Sequence, residues 1–193
     1  MRSGLQAFFL TTLLLLQPIA VRAATFETCD EERTHLLSLL RSAASKVRVR
    51  TAEVENLSIL SPETLKAFTQ DGDWLIAWLQ DQSERLEEKK EDCSTLPALR
   101  KDAVAQILPV ERASRKIFAT TLVWQLDQVS QNVREENTIF GLEALRKLGE
   151  ARAIFHQIAD APGDAEPMRP LLRRGAFLIR QGLRFLRIHG ILI

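Results

Sequence analysis

The clearest pattern in this sequence is a seven-residue repeat of apolar positions on either side of residues 58–65. Before this stretch the successive steps are four, three, four, seven and three, at Leu36, Leu40, Ala43, Val47, Val54 and Leu57. Arg50 occupies the one slot that lacks an apolar residue. After the stretch the repeat continues at Leu65, Phe68, Leu75, Leu79 and Leu86, with Gly72 and Gln82 in the weaker slots. Apolar residues with this spacing form one stripe on a helix, so the pattern predicts two helices that pack along their stripes.

The residues between the two repeats predict where the second helix begins. Ser61 suits the N-cap position, Pro62 the first helical position and Glu63 the first turn. A start signal between two helical stripes predicts an antiparallel hairpin. The stretch QDGD at residues 70–73 is a turn signal inside the second helix, so a kink or break at Gly72 remains an alternative to a continuous helix.

The only two cysteines, Cys29 and Cys93, each lie 32 residues from Ser61. Each also falls one heptad beyond an end of its repeat, before Leu36 and after Leu86. In an antiparallel hairpin they would face each other at the open end, so we predict a disulfide that staples the two helices. Two unrelated buried thiols are the alternative, whereas a metal site would need more ligands than two cysteines.

Further apolar repeats predict helices through the rest of the chain. A short helix should follow the capping residues Ser94 and Thr95 and reach about Leu108, and Pro109 should bend or end it. The next helix is predicted from apolar positions at Ala119, Leu122, Leu126, Val129 and Val133. A polar break around Asn137 separates it from a helix with Ala144, Leu148, Ala151, Phe155 and Ile158. The loop at 160–167 precedes a last helix over about residues 168–189.

These patterns predict an all-α fold, an elongated helical bundle of four to five helices with a disulfide-stapled antiparallel N-terminal hairpin. Residues 1–23 predict a signal peptide, because Arg2 precedes an apolar run that is shorter than the roughly 20 residues of a membrane span. A membrane anchor is the alternative. The remaining residues, 24–193, are predicted to form a single helical domain. Its parts are the hairpin (24–93), central helices (94–160) and a basic amphipathic C-terminal helix (168–193).

Charge and composition narrow the partners and the compartment. Removing residues 1–23 takes away two arginines and no acids, so the formal net charge changes from +1 to −1. A near-neutral net charge is not typical of nucleic-acid-binding proteins, so no nucleic acid is predicted as a partner. The excess of arginine over lysine and the short signal favour export to a bacterial periplasm over an extracellular location.

The sequence contains no motif that predicts catalysis. His35, His156 and His189 are far apart and lack a second ligand at helical spacing, and no HExxH, CxxC, GxSxG or glycine-rich phosphate loop is present. We therefore predict a protein that is not an enzyme, with no catalytic residue, no metal, no cofactor and no small-molecule substrate.

Trp74 and Trp78 lie one turn apart on the predicted second helix. Aromatic residues at this spacing usually belong to the core, and here they would pack against a third helix. The functional alternative is an exposed apolar ledge for a partner.

The segment 169–193 is the most unusual, because it contains six arginines and no acid. Five of them share a sector of about 60° on a helix: Arg169, Arg173, Arg180, Arg184 and Arg187. Apolar residues, including Phe177 and Phe185, fill most of the remaining circumference. The helix could be the last member of the bundle, could lie on an anionic lipid surface, or could dock into a groove of a partner protein.

The sequence thus predicts an exported, periplasmic, non-enzymatic helical protein that binds or scaffolds another protein. The alternative is a peripheral membrane-associated protein that its C-terminal basic helix holds to an anionic lipid surface.

Overall fold

The computed structural model describes residues 28–57, 59–88, 92–134, 139–162 and 168–189, which form five α-helices and no β-strand. The helices are α1 (Cys29–Glu55), α2 (Pro62–Glu87), α3 (Leu96–Arg134), α4 (Ile139–Asp160) and α5 (Arg169–Ile188), and a 3-10 turn at Cys93–Thr95 precedes α3. The predicted all-α bundle of four to five helices is confirmed. The predicted signal peptide, the break around Asn137, loop residues 163–167 and the end of the chain from 190 lie outside the described residues.

The chain divides into two compact units, and α3 contributes to both. One unit contains α1, α2 and the part of α3 that ends at Ser114. The other contains the part of α3 that begins at Arg115, together with α4 and α5. The single domain over 24–193 stays a prediction.

The hairpin of α1 and α2 has a side-chain cap at the start of each helix. Thr28 accepts a hydrogen bond from the backbone N–H of Glu31, and the Glu31 carboxylate accepts one from the N–H of Thr28. This capping box stands in the sequence as Thr-Cys-Asp-Glu, and our sequence analysis overlooked it. Ser61 caps α2 as predicted, since its hydroxyl accepts a hydrogen bond from the Thr64 N–H at 3.2 Å, and Pro62 is the first residue of α2.

The predicted heptad stripes are the packed faces of this hairpin. All six apolar positions of the first repeat are buried, and so are Phe68, Leu75, Leu79 and Leu86 of the second. Leu65, at the start of α2, is only partly buried. Cys29 and Cys93 form the predicted disulfide, with their Cα atoms 5.6 Å apart.

Gly72 does not break α2, which is continuous from Pro62 to Glu87. The residue is buried on the packed stripe, where a Cβ atom would collide with the Thr51 Oγ1 atom of α1. The glycine is therefore needed for the close approach of the two helices, and not for a turn.

Pro109 does not end the helix either, which corrects the prediction of two helices between Ser94 and Val133. The helix α3 runs through Pro109 without interruption from Leu96 to Arg134. A proline removes one N–H from the helical ladder and leaves the carbonyl of Ala105 without its usual donor. Pro109 and Ala105 are both exposed, so water can bind that carbonyl and the loss is tolerated.

The pair of α4 and α5 also depends on glycine at the helix contact. A Cβ atom on Gly175 would lie 2.8 Å from the Phe155 Cζ atom, and one on Gly182 would lie 2.7 Å from the Leu148 Cδ2 atom. The two glycines are seven residues apart, so both lie on the side of α5 that faces α4. All five apolar positions predicted for α4 are buried beneath this contact.

Replacing both cysteines with serine (C29S, C93S) should lower the free energy of unfolding by about 4 kcal/mol, because a loop that spans 64 positions is no longer closed in the unfolded chain. Cys93 is exposed, so the change leaves no cavity there. Urea denaturation of the variant and of reduced wild type should give the same decrease. Equal stability before and after reduction would show that the disulfide does not stabilise the fold.

Two glycine substitutions in the α4–α5 pair should act in opposite directions. Gly182→Ala should cost about 1–3 kcal/mol, because the added methyl group collides with the fully buried Leu148, which must then shift within a packed core. Gly149→Ala is the matched control, because nothing lies within 4 Å of its Cβ position; it should stabilise α4 by up to about 1 kcal/mol. Denaturation midpoints measure both changes, and equal stabilisation by both would refute the close contact.

Candidate contact surface

Helix α5 has one buried side and one exposed, strongly basic side. Seven residues are buried: Leu172, Gly175, Leu178, Ile179, Gly182, Leu183 and Leu186. The helix packs along α4 through this side. On its apolar side, α5 therefore packs as the last helix of a bundle would.

The opposite side carries four exposed arginines, Arg173, Arg180, Arg184 and Arg187, which we call the arginine face. They lie within about 60° of the helix circumference and extend over about 21 Å along its axis. Within the described part of the chain, none of the four has an ion pair or a side-chain hydrogen bond. Arg169, the fifth predicted member, is half-buried and interacts with other groups, so it is not part of this face.

The two arginines of the neighbouring helix α4 are paired with acids. Arg146 donates to Glu143 at 2.7 Å and to Glu150 at 2.6 Å, and Arg152 forms an ion pair with Asp127 of α3 at 2.7 Å. The hydrogen bond from Arg146 lowers the pKa of Glu143 and raises the pKa of Arg146. The arginine face differs because α5 contains no acid.

The two predicted phenylalanine contacts differ in accessibility. Phe177 lies beside the arginine face and is 55% exposed, whereas Phe185 is half-buried. Ile188, near the end of the same helix, is 62% exposed. Large apolar side chains therefore accompany the arginines on the exposed side of α5.

The first residues of α4 form an exposed apolar group that our sequence analysis missed. Ile139, Phe140 and Leu142 are 82%, 47% and 59% exposed. The ring of Phe140 stacks on that of His189, and the ring centroids are 3.5 Å apart. The sequence contains a signal for this exposure, because the apolar repeat of α4, extended towards the start of the helix, passes through Gly141. Ile139, Phe140 and Leu142 therefore lie off the packed stripe.

The tryptophans on α2 do not form a buried pair. Trp74 is 55% exposed, which contradicts the expectation that it packs against a third helix, and Trp78 is half-buried. The packed stripe of α2 is narrow, and Trp78 borders it while Trp74 lies further round the helix. The structure does not identify a partner for an apolar ledge at these positions.

The described residues offer no arrangement typical of a metal site. Among them, no three histidine, cysteine, aspartate or glutamate side chains lie close enough together to hold a metal ion. His35 and His156 belong to two different helices, α1 and α4, and His189 is the C-cap residue after α5. The absence of a metal and of catalysis stays a prediction.

Among the described residues, no helix has both the length and the apolar character needed to cross a bilayer. Comparison of the chain with protein-family models, curated proteins and solved structures finds no match.

One buried charge, Arg50, lies in the slot that interrupts the first heptad repeat. The residue is 4% exposed, and its guanidinium donates from Nη1 to the Ser114 hydroxyl of α3 at 3.1 Å. Burial lowers the pKa of Arg50, and Glu111, which is also buried, opposes that shift. Arg50 thus belongs to the core of its unit and is balanced by α3, not exposed as a binding group.

Glu111→Ala should cost about 3–5 kcal/mol of stability, because it leaves the Arg50 charge buried without its counter-charge. The double variant Arg50→Met with Glu111→Leu should recover most of the loss, since both charges are then replaced by apolar groups of similar volume. Denaturation of Arg50→Met, of Glu111→Leu and of the double variant as a thermodynamic cycle measures the coupling. Additive effects would show that Arg50 and Glu111 do not interact.

Proposed function

We propose that this is an exported, periplasmic, non-enzymatic helical protein that binds another macromolecule through the arginine face of α5. The supporting observation is that Arg173, Arg180, Arg184 and Arg187 are exposed on one side of a helix and unpaired among the described residues. Such a surface is complementary to negatively charged groups on a partner.

The arginine face is also electrostatically unfavourable for the free protein. Arg180 and Arg184 are four residues apart, and Arg184 and Arg187 are three apart, so like charges are neighbours on the helix surface. Such pairs destabilise a helix by a few tenths of a kcal/mol each. A bound anionic surface would relieve this repulsion, which supports a role in binding over a role in stability.

The proposed compartment rests on the predicted signal peptide and is consistent with the disulfide. The Cys29–Cys93 bond would persist in an oxidising environment such as the periplasm. The non-enzymatic part of the proposal rests on the lack of catalytic motifs in the sequence.

The alternative, in which α5 lies in a membrane with its apolar side among the lipid chains, is less well supported. That side packs on α4 through Gly175 and Gly182, and Leu186 at its centre is fully buried. Lipid insertion of this side would require α5 to separate from α4 and to lose the burial of its leucines and isoleucine.

Replacing the arginine face with glutamine (R173Q, R180Q, R184Q, R187Q) should weaken partner binding without lowering the thermal melt, because these exposed arginines contribute little to stability and repel one another. The measurement is recovery of the chemically cross-linked partner, protein or lipid, by the tagged protein in cells of the source organism. We expect recovery to decrease by at least about tenfold, as the loss of several charge contacts implies.

A matched control replaces four exposed cations of the other unit that have no partner among the described residues with glutamine: Lys46, Arg48, Lys66 and Lys101. This variant has the same net charge as the test variant, so it separates the effect of position from that of overall charge. The proposal is wrong if both variants lose the partner equally, or if the arginine-face variant keeps it.

A further inference from the structure

One end of the α4–α5 pair carries an unusual concentration of exposed apolar side chains. These residues are at the open end of the pair, where α4 begins and α5 ends. We call Ile139, Phe140, Leu142 and Ile188 the hairpin tip; they are between 47% and 82% exposed. Eight large apolar side chains are exposed in the described part of the chain, and these four are half of them. Scattered exposed apolar residues are ordinary, but a cluster of this kind marks a contact site.

The structure places the start of α4 beside the end of α5. Gly175 contacts Phe155, and seven residues later Gly182 contacts Leu148, so the two helices run in opposite directions with a constant register. The stacking of Phe140 on His189 continues that register to the end of the pair. The apolar residues of both helices are therefore at the same end.

Positive charge adjoins the hairpin tip. Arg184 and Arg187 of the arginine face lie within about one turn of Ile188. No acid stands in the first turn of α4 and none in α5. Glu135 and Glu136 precede α4 in the sequence, outside the described residues, and two acids do not cancel the six arginines of the segment 169–193.

We propose that the hairpin tip docks on an anionic lipid bilayer, with its apolar side chains in the interface and Arg184 and Arg187 on lipid phosphates. This inference rests on the proposed function, because it names the partner of the arginine face. Apolar side chains that enter the interfacial region and cations that meet anionic headgroups contribute together to peripheral binding.

The form of the hairpin tip favours a bilayer over a protein partner. Its side chains project from the ends of two helices, and Ile139 is exposed over 82% of its surface. A protein partner would need a separate pocket for each projecting side chain, whereas fluid lipid adapts to them. The packed side of α5 remains on α4 in this arrangement, so the fold does not have to open.

The test is co-sedimentation of the mature, disulfide-bonded protein with vesicles of equal parts phosphatidylglycerol and phosphatidylethanolamine, and with vesicles of phosphatidylcholine alone. We expect binding to the anionic vesicles only. The variant I139S, L142S, I188S should bind at least about tenfold more weakly, because each side chain contributes through the apolar surface it buries. The variant R184Q, R187Q should also lose about tenfold or more, as two cations leave an anionic surface.

A matched control replaces three exposed apolar residues elsewhere with serine (V49S, W74S, W124S), and it should bind as the wild type does. Circular dichroism and thermal melts must show that all variants remain folded; replacement of exposed residues should leave both unchanged.

The outcomes separate this inference from the proposed function. If the arginine variants lose vesicle binding and the serine variant of the hairpin tip keeps it, the arginine face binds anions and the inference about the tip is wrong. If the wild type does not bind anionic vesicles but recovers a cross-linked protein through the arginine face, the lipid is the wrong partner. If neither vesicle binding nor partner recovery depends on the arginine face, the proposed function fails as well.

Discussion

The close approach of α5 to α4 at Gly175 and Gly182 is the constraint on which the proposed contact surface depends. A helix that is apolar around most of its circumference must be covered, and a methyl group at either position would collide with Phe155 or Leu148. The absence of side chains lets the helices approach until the leucines and isoleucine of α5 are buried. This contact fixes the rotation of α5, and the rotation decides that the arginines are the side that remains exposed. One side of α5 therefore packs in the core, and the opposite side is the candidate contact surface.

The two helical hairpins use the same antiparallel heptad packing but differ at one end. In the α1–α2 hairpin, a covalent bond between Cys29 and Cys93 holds the open end. At the corresponding end of the α4–α5 pair, the helices meet through the stacked rings of Phe140 and His189 and leave apolar side chains exposed. Considered separately, the first unit has the features of a stabilised scaffold and the second has those of a contact surface.

The pairing of charged side chains also differs between the rest of the fold and the exposed side of α5. The buried Arg50 is balanced by Glu111 and Ser114, and the exposed Arg146 and Arg152 of α4 have acidic partners. The arginine face has none among the described residues, although its members repel one another along the helix. Single exposed cations without a partner among the described residues, such as Arg48, occur elsewhere. On α5, four such arginines lie together on one side of a helix that contains no acid, and this concentration is the physical basis for proposing a role in binding.

The sequence by itself determined the helices, the packed stripes of the hairpin and the disulfide, because heptad spacing and chain distance are properties of one or two adjacent helices. It also contained the cap at Ser61 and the unusual charge of α5. It could not determine that Gly72 and Pro109 leave their helices continuous, since that depends on a close contact with Thr51 and on the exposure of a freed carbonyl. The exposure of Trp74, the partners of Arg50 and the position of Ile188 beside the start of α4 likewise required tertiary structure. These features depend on residues that are distant in sequence. Only the packing of one helix on another decides which residues face solvent.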